Sequence, residues 1–151
     1  FIAPGYSVRP LEMSGAIGSV QLEKWPGMRE KRVENAKYFK EMFSNLPVTT
    51  QKEIGNSSWF GFSILLEDRL AGHRDIVIQS LESQGVESRP IVAGNFMKNP
   101  VIKYLNILSQ NDYDNADYIH ENGFFIGNDI RDLKENIDLV HETIKSVHDQ
   151  I

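Results

Sequence analysis

The first third of the chain carries apolar residues at helical spacing and predicts two successive helices. Pro10 can open the first helix, because the N–H that proline lacks would be unpaired there anyway. Pro26-Gly27 is expected to break or kink the segment, and Pro47 to end the second helix. The apolar stripe of the first helix is Met13, Ala16, Ile17 and Val20, and that of the second is Val33, Ala36, Phe39, Phe43 and Leu46.

After Pro47 the spacing changes to the period of two that is typical of strands. Residues 48–50 form a short β-branched run, and residues 58–66 place alternate apolar side chains on one face. Gly55-Asn56 between them favours a turn, so the two runs predict a hairpin. Trp59 is expected in the core, and the buried face of the second strand is expected to carry Phe60, Phe62, Ile64 and Leu66.

The remaining sequence alternates between helical and strand patterns. A helix over 73–84 is expected to stop at Gly85, and strands are expected at 86–92 and 123–127. Short helical segments at 99–105 and at 112–122 lie between those strands, and Asp112 is the expected cap of the second. These elements predict an α+β fold with a small, mainly antiparallel sheet covered by helices. The last helix is expected to bury one stripe, formed by Leu133, Ile137, Val140, Ile144, Val147 and Ile151.

Length and composition narrow the class of protein. The 151 residues can bury one core, which predicts a single domain. A formal charge of −5 with interspersed cations argues against a nucleic-acid partner, and the longest apolar runs are too short for a membrane partner. The chain has no cysteine, which excludes disulfides and thiolate metal sites within it and fits a cytoplasmic location. The start at Phe1, with no leader, suggests a piece of a longer protein.

The chain offers little for catalysis of its own. The nine lysines fall mostly on polar helix faces, whereas a Schiff-base lysine needs a desolvated or cation-flanked position. The four histidines stand at spacings unsuited to a metal cluster, and we expect them to be solvated or at interfaces. We therefore assign no catalytic residue and no metal ligand.

Two loops have the composition of binding sites. The first, at residues 5–10, combines Tyr6, Ser7 and Arg9 before a helix start, where backbone N–H groups and a guanidinium favour an anion. An ordinary helix-entry loop with a surface arginine would have the same composition. The spacing leaves both interpretations open.

The second loop, at residues 87–96, lies at the end of a predicted strand. Glu87, Arg89 and Asn95 supply a carboxylate, a guanidinium and an amide, and Phe96 adds an aromatic face. Gly94 permits a sharp turn, so a purely structural turn is the alternative.

Five stretches, taken in order, resemble the DegT/DnrJ/EryC1/StrS family of nucleotide-sugar aminotransferases and dehydratases. They are VRPLEMSGAIG at 8–18, QLEK at 21–24, SSWFGFS at 57–63, ESRPIVAGNF at 87–96 and NGFFIGN at 122–128. The first, third, fourth and fifth are similar to the family's sugar 3-dehydratase branch. The aminotransferase signature G-Y-N-Y-R-M is replaced here by Gly5-Tyr-Ser-Val-Arg-Pro10, which argues against the aminotransferase alternative.

The resemblance implies a fold type I vitamin B6 enzyme that works as a homodimer with its active sites at the subunit interface. This chain looks like the small C-terminal domain, with residues 1–46 as interface helices, residues 47–151 as an α/β unit, and the large cofactor-binding domain absent. The cofactor in the dehydratase branch is pyridoxamine phosphate, related to pyridoxal phosphate. Its histidine base belongs to the large domain, so this chain alone is expected to bind no cofactor.

The resemblance also implies roles for particular residues. Ser7 and Arg9 match the loop that reaches the cofactor phosphate of the other subunit. The implied substrate is a nucleotide-linked 4-keto-6-deoxy sugar that loses its C3 hydroxyl. A non-catalytic dimerising module is an alternative that the sequence leaves open. The residues implied to face the sugar nucleotide are Glu87, Arg89, Asn95 and Phe96.

Overall fold

The computed structural model describes residues 11–108 and 112–151. In this part of the chain, four strands form one antiparallel sheet in the order β1-β2-β4-β3. The strands are β1 (Val48–Thr50), β2 (Gly61–Leu66), β3 (Ser88–Pro90) and β4 (Gly123–Gly127). The helices are α1 (Glu12–Met42), α2 (Arg74–Ser83), α3 (Asp114–Asn122) and α4 (Lys134–Gln150). The predicted α+β class with a small antiparallel sheet is confirmed.

The prediction of two N-terminal helices is wrong, because α1 runs continuously through Pro26 for 31 residues. Proline removes only one hydrogen bond from such a ladder, that of its own missing N–H, and helical patterning continues on both sides. The two halves of α1 differ in environment. Residues 11–27 are exposed, whereas Ala36 and Phe39 are buried against the rest of the domain.

The core lies between one face of the sheet and helices α1, α2 and α4. Phe62, Ile64 and Leu66 of β2 are buried at alternate positions, as period-two spacing requires. Phe39 stacks on Phe62 with ring centroids 4.4 Å apart. The predicted stripe of α4 is confirmed, since Ile137, Val140, Ile144 and Val147 are all buried.

The hairpin at the start of the sheet forms as predicted, with Val48 paired to Leu66 and Thr50 to Ile64. Helix α2 also agrees within a residue of its predicted bounds, and Gly85 follows it with a φ of +78°. Glycine accommodates this left-handed conformation without steric cost.

Three local predictions are wrong. The strand expected over 86–92 is limited to Ser88–Pro90, because it pairs only with β4 and turns away after Pro90. Helix α3 begins at Asp114 with Tyr113 at the N-cap position, so Asp112 is not the cap. Phe60 lies before β2 and is 77% exposed, for a reason that the backbone of Trp59 explains below.

No helix among these described residues combines the length and the apolar character that a membrane span needs.

Candidate functional site

A surface groove of about 590 Å³ opens where α1, β3 and the ends of β2 and β4 meet. Along β4, Phe124 and Ile126 point into the core, so Phe125 between them points to the opposite face. Arg89 is the cross-strand partner of Phe125, and paired residues share a face. We call this feature the arginine groove; its lining residues are Arg32, Phe60, Glu87, Arg89, Phe125, Gly127 and Asn128.

The backbone at Trp59 explains how Phe60 reaches the groove. Trp59 is buried and has a φ of +52°, a left-handed conformation that is rare for bulky residues. This residue interrupts the alternation that would otherwise place Phe60 in the core with Phe62. The ring of Phe60 instead lies 6.3 Å from that of Phe125, centroid to centroid. The indole of Trp59 is fixed by its Nε1–H, which donates to Glu53 at 3.3 Å.

Glu53 is held as a carboxylate by this turn. The backbone N–H of Ser57, the ammonium of Lys40 and the indole N–H of Trp59 all donate to it. Together they hold the pKa of the Glu53 carboxyl below its usual value, with the Ser57 N–H as the largest cause. The turn that presents Phe60 is therefore secured by a charged group.

Gly61 lies directly against Phe125, whose ring lines the groove. A Cβ at this position would lie 2.7 Å from the backbone oxygen of Ile126 and 3.0 Å from Cδ2 of Phe125. Any other residue would displace the aromatic ring or separate β2 from β4.

Two buried asparagines tie the groove to α1. Asn128 donates through Nδ2 to the backbone oxygens of Arg32 at 3.0 Å and Trp59 at 2.9 Å. Its Oδ1 accepts from Asn35 Nδ2 at 3.2 Å. Asn35 also donates to the backbone oxygens of Asp129 and Arg131, and its Oδ1 accepts from the N–H of Leu133. This Asn35–Asn128 network fixes α1, the Trp59 turn and the end of β4 in one arrangement.

Glu87 and Arg89 form an exposed ion pair on the groove wall. Arg89 Nη2 lies 2.6 Å from Glu87 Oε1, and the side chains are 68% and 76% exposed, respectively. Exposed pairs of this kind contribute only about 0–1 kcal/mol, so the guanidinium can exchange partners readily. A phosphate oxygen pair is a suitable new partner for its forked donors.

Arg32 supplies a further cation that the sequence pattern did not predict as a site residue. It lies on α1, one turn before Asn35, and lines the groove. Its Nε is buried and has no hydrogen-bond partner in the described part of the chain. No signal in the local sequence distinguishes Arg32 from a surface arginine, because its position depends on how α1 packs on the end of β4.

Asn95 and Phe96 lie in a loop beyond the groove. Asn95 is 4% exposed, and its side chain donates to Asp117 Oδ1 at 2.8 Å and accepts from the N–H of Met97 at 2.9 Å. Phe96 is 38% exposed. The structure therefore brings Glu87 and Arg89 together in the groove but gives Asn95 a role inside its own loop.

The other residues considered from the sequence are the first-loop pair, the lysines and the histidines. Ser7 and Arg9 lie outside the described residues. All nine lysines are exposed, so none of them is the desolvated amine that a Schiff base requires. His141 is buried beside Asn45, against the expectation that the histidines are solvated or at interfaces, because it faces the core side of α4. Within residues 11–108 and 112–151, no group of potential metal ligands comes together.

The sequence profile of the DegT/DnrJ/EryC1/StrS aminotransferase family matches residues 2–145. The chain belongs to this family. Its sequence is 46% identical over 147 residues to GDP-4-keto-6-deoxy-D-mannose 3-dehydratase of Escherichia coli O55:H7, and 45% identical to the Yersinia pseudotuberculosis enzyme of the same name. The match covers 96% of this chain but 38% and 37% of those relatives, so the chain spans well under half of their length.

Solved structures agree with this family assignment. The Escherichia coli dehydratase with bound hydrated PLP superposes with a TM-score of 0.85 over 95% of this chain and 38% of the enzyme. A variant of that enzyme has been solved with bound GDP-perosamine and superposes equally well. An aminotransferase of pseudoaminic acid biosynthesis from Helicobacter pylori, 18% identical with a TM-score of 0.75, shows the same fold.

Proposed function

We propose that the chain is the C-terminal part of a pyridoxamine-phosphate-dependent nucleotide-sugar 3-dehydratase acting in the cytoplasm on a GDP-linked 4-keto-6-deoxy sugar. The observation that carries the proposal is the arginine groove, in which two guanidinium groups, a carboxylate, the exposed ring of Phe60 and the half-buried ring of Phe125 meet. A nucleoside diphosphate sugar offers the complementary groups: anionic phosphates, hydroxyls and a flat base. The similarity to dehydratases of this substrate class supports the same assignment.

The groove residues have separable roles in this proposal. Arg89 and Arg32 bind the diphosphate, because a guanidinium presents paired donors to phosphate oxygens. Glu87 accepts hydrogen bonds from the sugar or the base once Arg89 has turned to the phosphate. Phe60 and Phe125 provide an apolar surface against which a ring can lie. Phe96, on the following loop, borders the same ligand.

The cofactor would be held mainly by parts of the enzyme outside this chain. When bound, the pyridoxamine cofactor supplies the amine that activates the keto sugar for loss of the C3 hydroxyl. From this chain we propose that Ser7 and Arg9 contact its phosphate in the partner subunit. The described lysines are all solvated and do not fit a Schiff-base role.

A homodimer is the assembly that we propose for the complete protein. The first half of α1 exposes Met13 at 72%, Ile17 at 63% and Val20 at 51%, which lie on one face of the helix. Apolar side chains grouped on an otherwise solvated helix are typical of a surface that another protein part covers.

A chimera tests the proposed activity. The matching 38% of the Escherichia coli dehydratase would be replaced by this chain, and the product of GDP-4-keto-6-deoxy-mannose identified by mass spectrometry. We expect a product lacking one oxygen. Replacement of the keto oxygen by an amino group would support the aminotransferase alternative, and a folded, cofactor-loaded chimera with no turnover would contradict the proposal.

The same chimera tests the groove. Arg89→Ala should lower kcat/KM at least about tenfold, since a charge-assisted phosphate contact is worth about 1.5–3 kcal/mol. Arg69→Ala is the matched control, because Arg69 is exposed beyond the opposite end of β2. Equal activity of the two variants would exclude Arg89 from the site.

A further inference from the structure

The loop at residues 91–98 rests on one histidine ring of α3. The backbone N–H of Asn95 donates to Nδ1 of His120 at 3.2 Å. Gly94, with a φ of +59°, lies so close that a Cβ there would be 2.1 Å from the same Nδ1. The backbone of the loop is thus in direct contact with the imidazole, and no side chain separates them.

Two side chains of this loop, Asn95 and Lys98, are also attached to α3. Asp117 accepts from Asn95 Nδ2 at 2.8 Å and lies 2.7 Å from the ammonium of Lys98. Lys98 also pairs with Glu121 at 3.2 Å. The Asn95 and Lys98 contacts hold the Asp117 carboxyl at a pKa below its usual value, chiefly through Lys98, so this attachment persists in mild acid.

The loop needs such attachments because part of its backbone is unfavourable. Val92 has a φ of +44° and is 85% exposed, in a tight turn closed by the Gly94 N–H and the oxygen of Ile91 at 2.8 Å. A β-branched residue is rarely left-handed, and no burial of Val92 compensates for it. The conformation is therefore imposed from outside the turn.

Nδ1 of His120 can accept a hydrogen bond only while it carries no proton. In the imidazolium both ring nitrogens are donors, so the N–H of Asn95 would meet another N–H. The charged groups around the ring are Asp117 and Glu121 on α3 itself, Lys98 from the loop and Arg74 from α2. Arg74 Nη1 donates to the backbone oxygen of His120, which keeps the end of α3 fixed whatever the state of the ring.

We propose that His120 is a positioning residue: its neutral imidazole fixes the Gly94–Asn95 backbone of loop 91–98 and, when protonated, releases that backbone, while the contacts of the loop with Asp117 remain. The contact itself is independent of the substrate. Its consequence rests on the proposed function: the loop follows Arg89 directly and carries Phe96, so its release would weaken sugar-nucleotide binding in mild acid.

Nuclear magnetic resonance on the 151-residue chain tests this directly. At pH 8 the ¹⁵N shift of His120 Nδ1 should be that of an unprotonated nitrogen. On lowering the pH to 5, the range in which histidines charge, the hydrogen-exchange protection factor of the Asn95 amide should fall about 5- to 150-fold. The protection factor is referred to the unstructured rate at each pH, so the intrinsic pH dependence of exchange cancels.

Two variants sharpen the result. His120→Asn retains an oxygen acceptor near the Nδ1 position that does not titrate, so the protection of Asn95 should become independent of pH. His148→Asn removes a histidine elsewhere, on α4, and should leave the wild-type response unchanged.

A proton on Nδ1 at pH 8, or a pH-independent Asn95 amide in the wild-type chain, would overturn the proposal without any variant. An inactive chimera with the expected Asn95 response would instead refute only the proposed enzymatic function.

Discussion

Replacing Asn35 by alanine should weaken the attachment of α1 to the arginine groove and lower the free energy of unfolding of the protein. Asn35 is 5% exposed. Its side-chain amide hydrogen-bonds to the side chain of Asn128 and to the backbone of Asp129, Arg131 and Leu133. Its two N–H groups and one oxygen can make about three full hydrogen bonds, each worth about 1 kcal/mol net. The partners are part-buried, so water replaces the lost bonds incompletely. We expect a destabilisation of about 2–4 kcal/mol.

Urea denaturation followed by tryptophan fluorescence, to which the buried Trp59 contributes, measures this change. The midpoint should fall with an unchanged slope, because the surface exposed on unfolding stays the same. The thermal midpoint should drop by roughly 2–4 °C for each kcal/mol lost. Asn106→Ala is the matched control, since Asn106 is exposed, and it should stay within about 0.5 kcal/mol of the wild type. If Asn35→Ala is as mild as this control, the network does not hold α1 in place.

Further predictions concern a glycine and a carboxylate. Gly94→Ala should lower the free energy of unfolding by at least about 1 kcal/mol more than Gly72→Ala, because both positions have positive φ but only Gly94 lies against His120. Equal urea midpoints for the two variants would contradict this contact. The pKa of Glu53 is lower in the folded protein than its usual value of 4.5. The ionised Glu53 therefore stabilises the fold above pH 4.5, and this contribution is lost as the pH falls through the lower pKa of the folded state. Glu53→Gln should therefore lose less stability than the wild type between pH 5 and pH 2, and parallel stability curves would refute this.

The periodic parts of the fold could be predicted from the sequence. The stripe of α4, the hairpin of β1 and β2 and the strand between Gly123 and Gly127 each follow from apolar spacing and punctuation by glycine. These signals are local, and the core that they form reinforces them. Local spacing did not predict that α1 continues through Pro26. Proline removes one backbone hydrogen bond, and the helix-forming residues on both sides outweigh that loss.

The groove was predictable only in part. Arg89 belongs to a strand that the sequence predicts, Glu87 directly precedes that strand, and the family resemblance singles out both residues. A period of two places Phe60 in the core, because this pattern cannot anticipate the left-handed backbone of Trp59. Arg32 was missed because it reaches the groove through tertiary packing of α1, which depends on the asparagine network rather than on neighbouring residues.

Binding of a sugar nucleotide in the arginine groove can be measured by titrating the ¹⁵N-labelled chain with GDP-mannose. We expect chemical-shift changes concentrated at Phe60, Arg89, Phe125 and Gly127, lost in Arg89→Ala and retained in Arg69→Ala. Changes spread over the surface, or confined to a region away from these residues, would contradict the account.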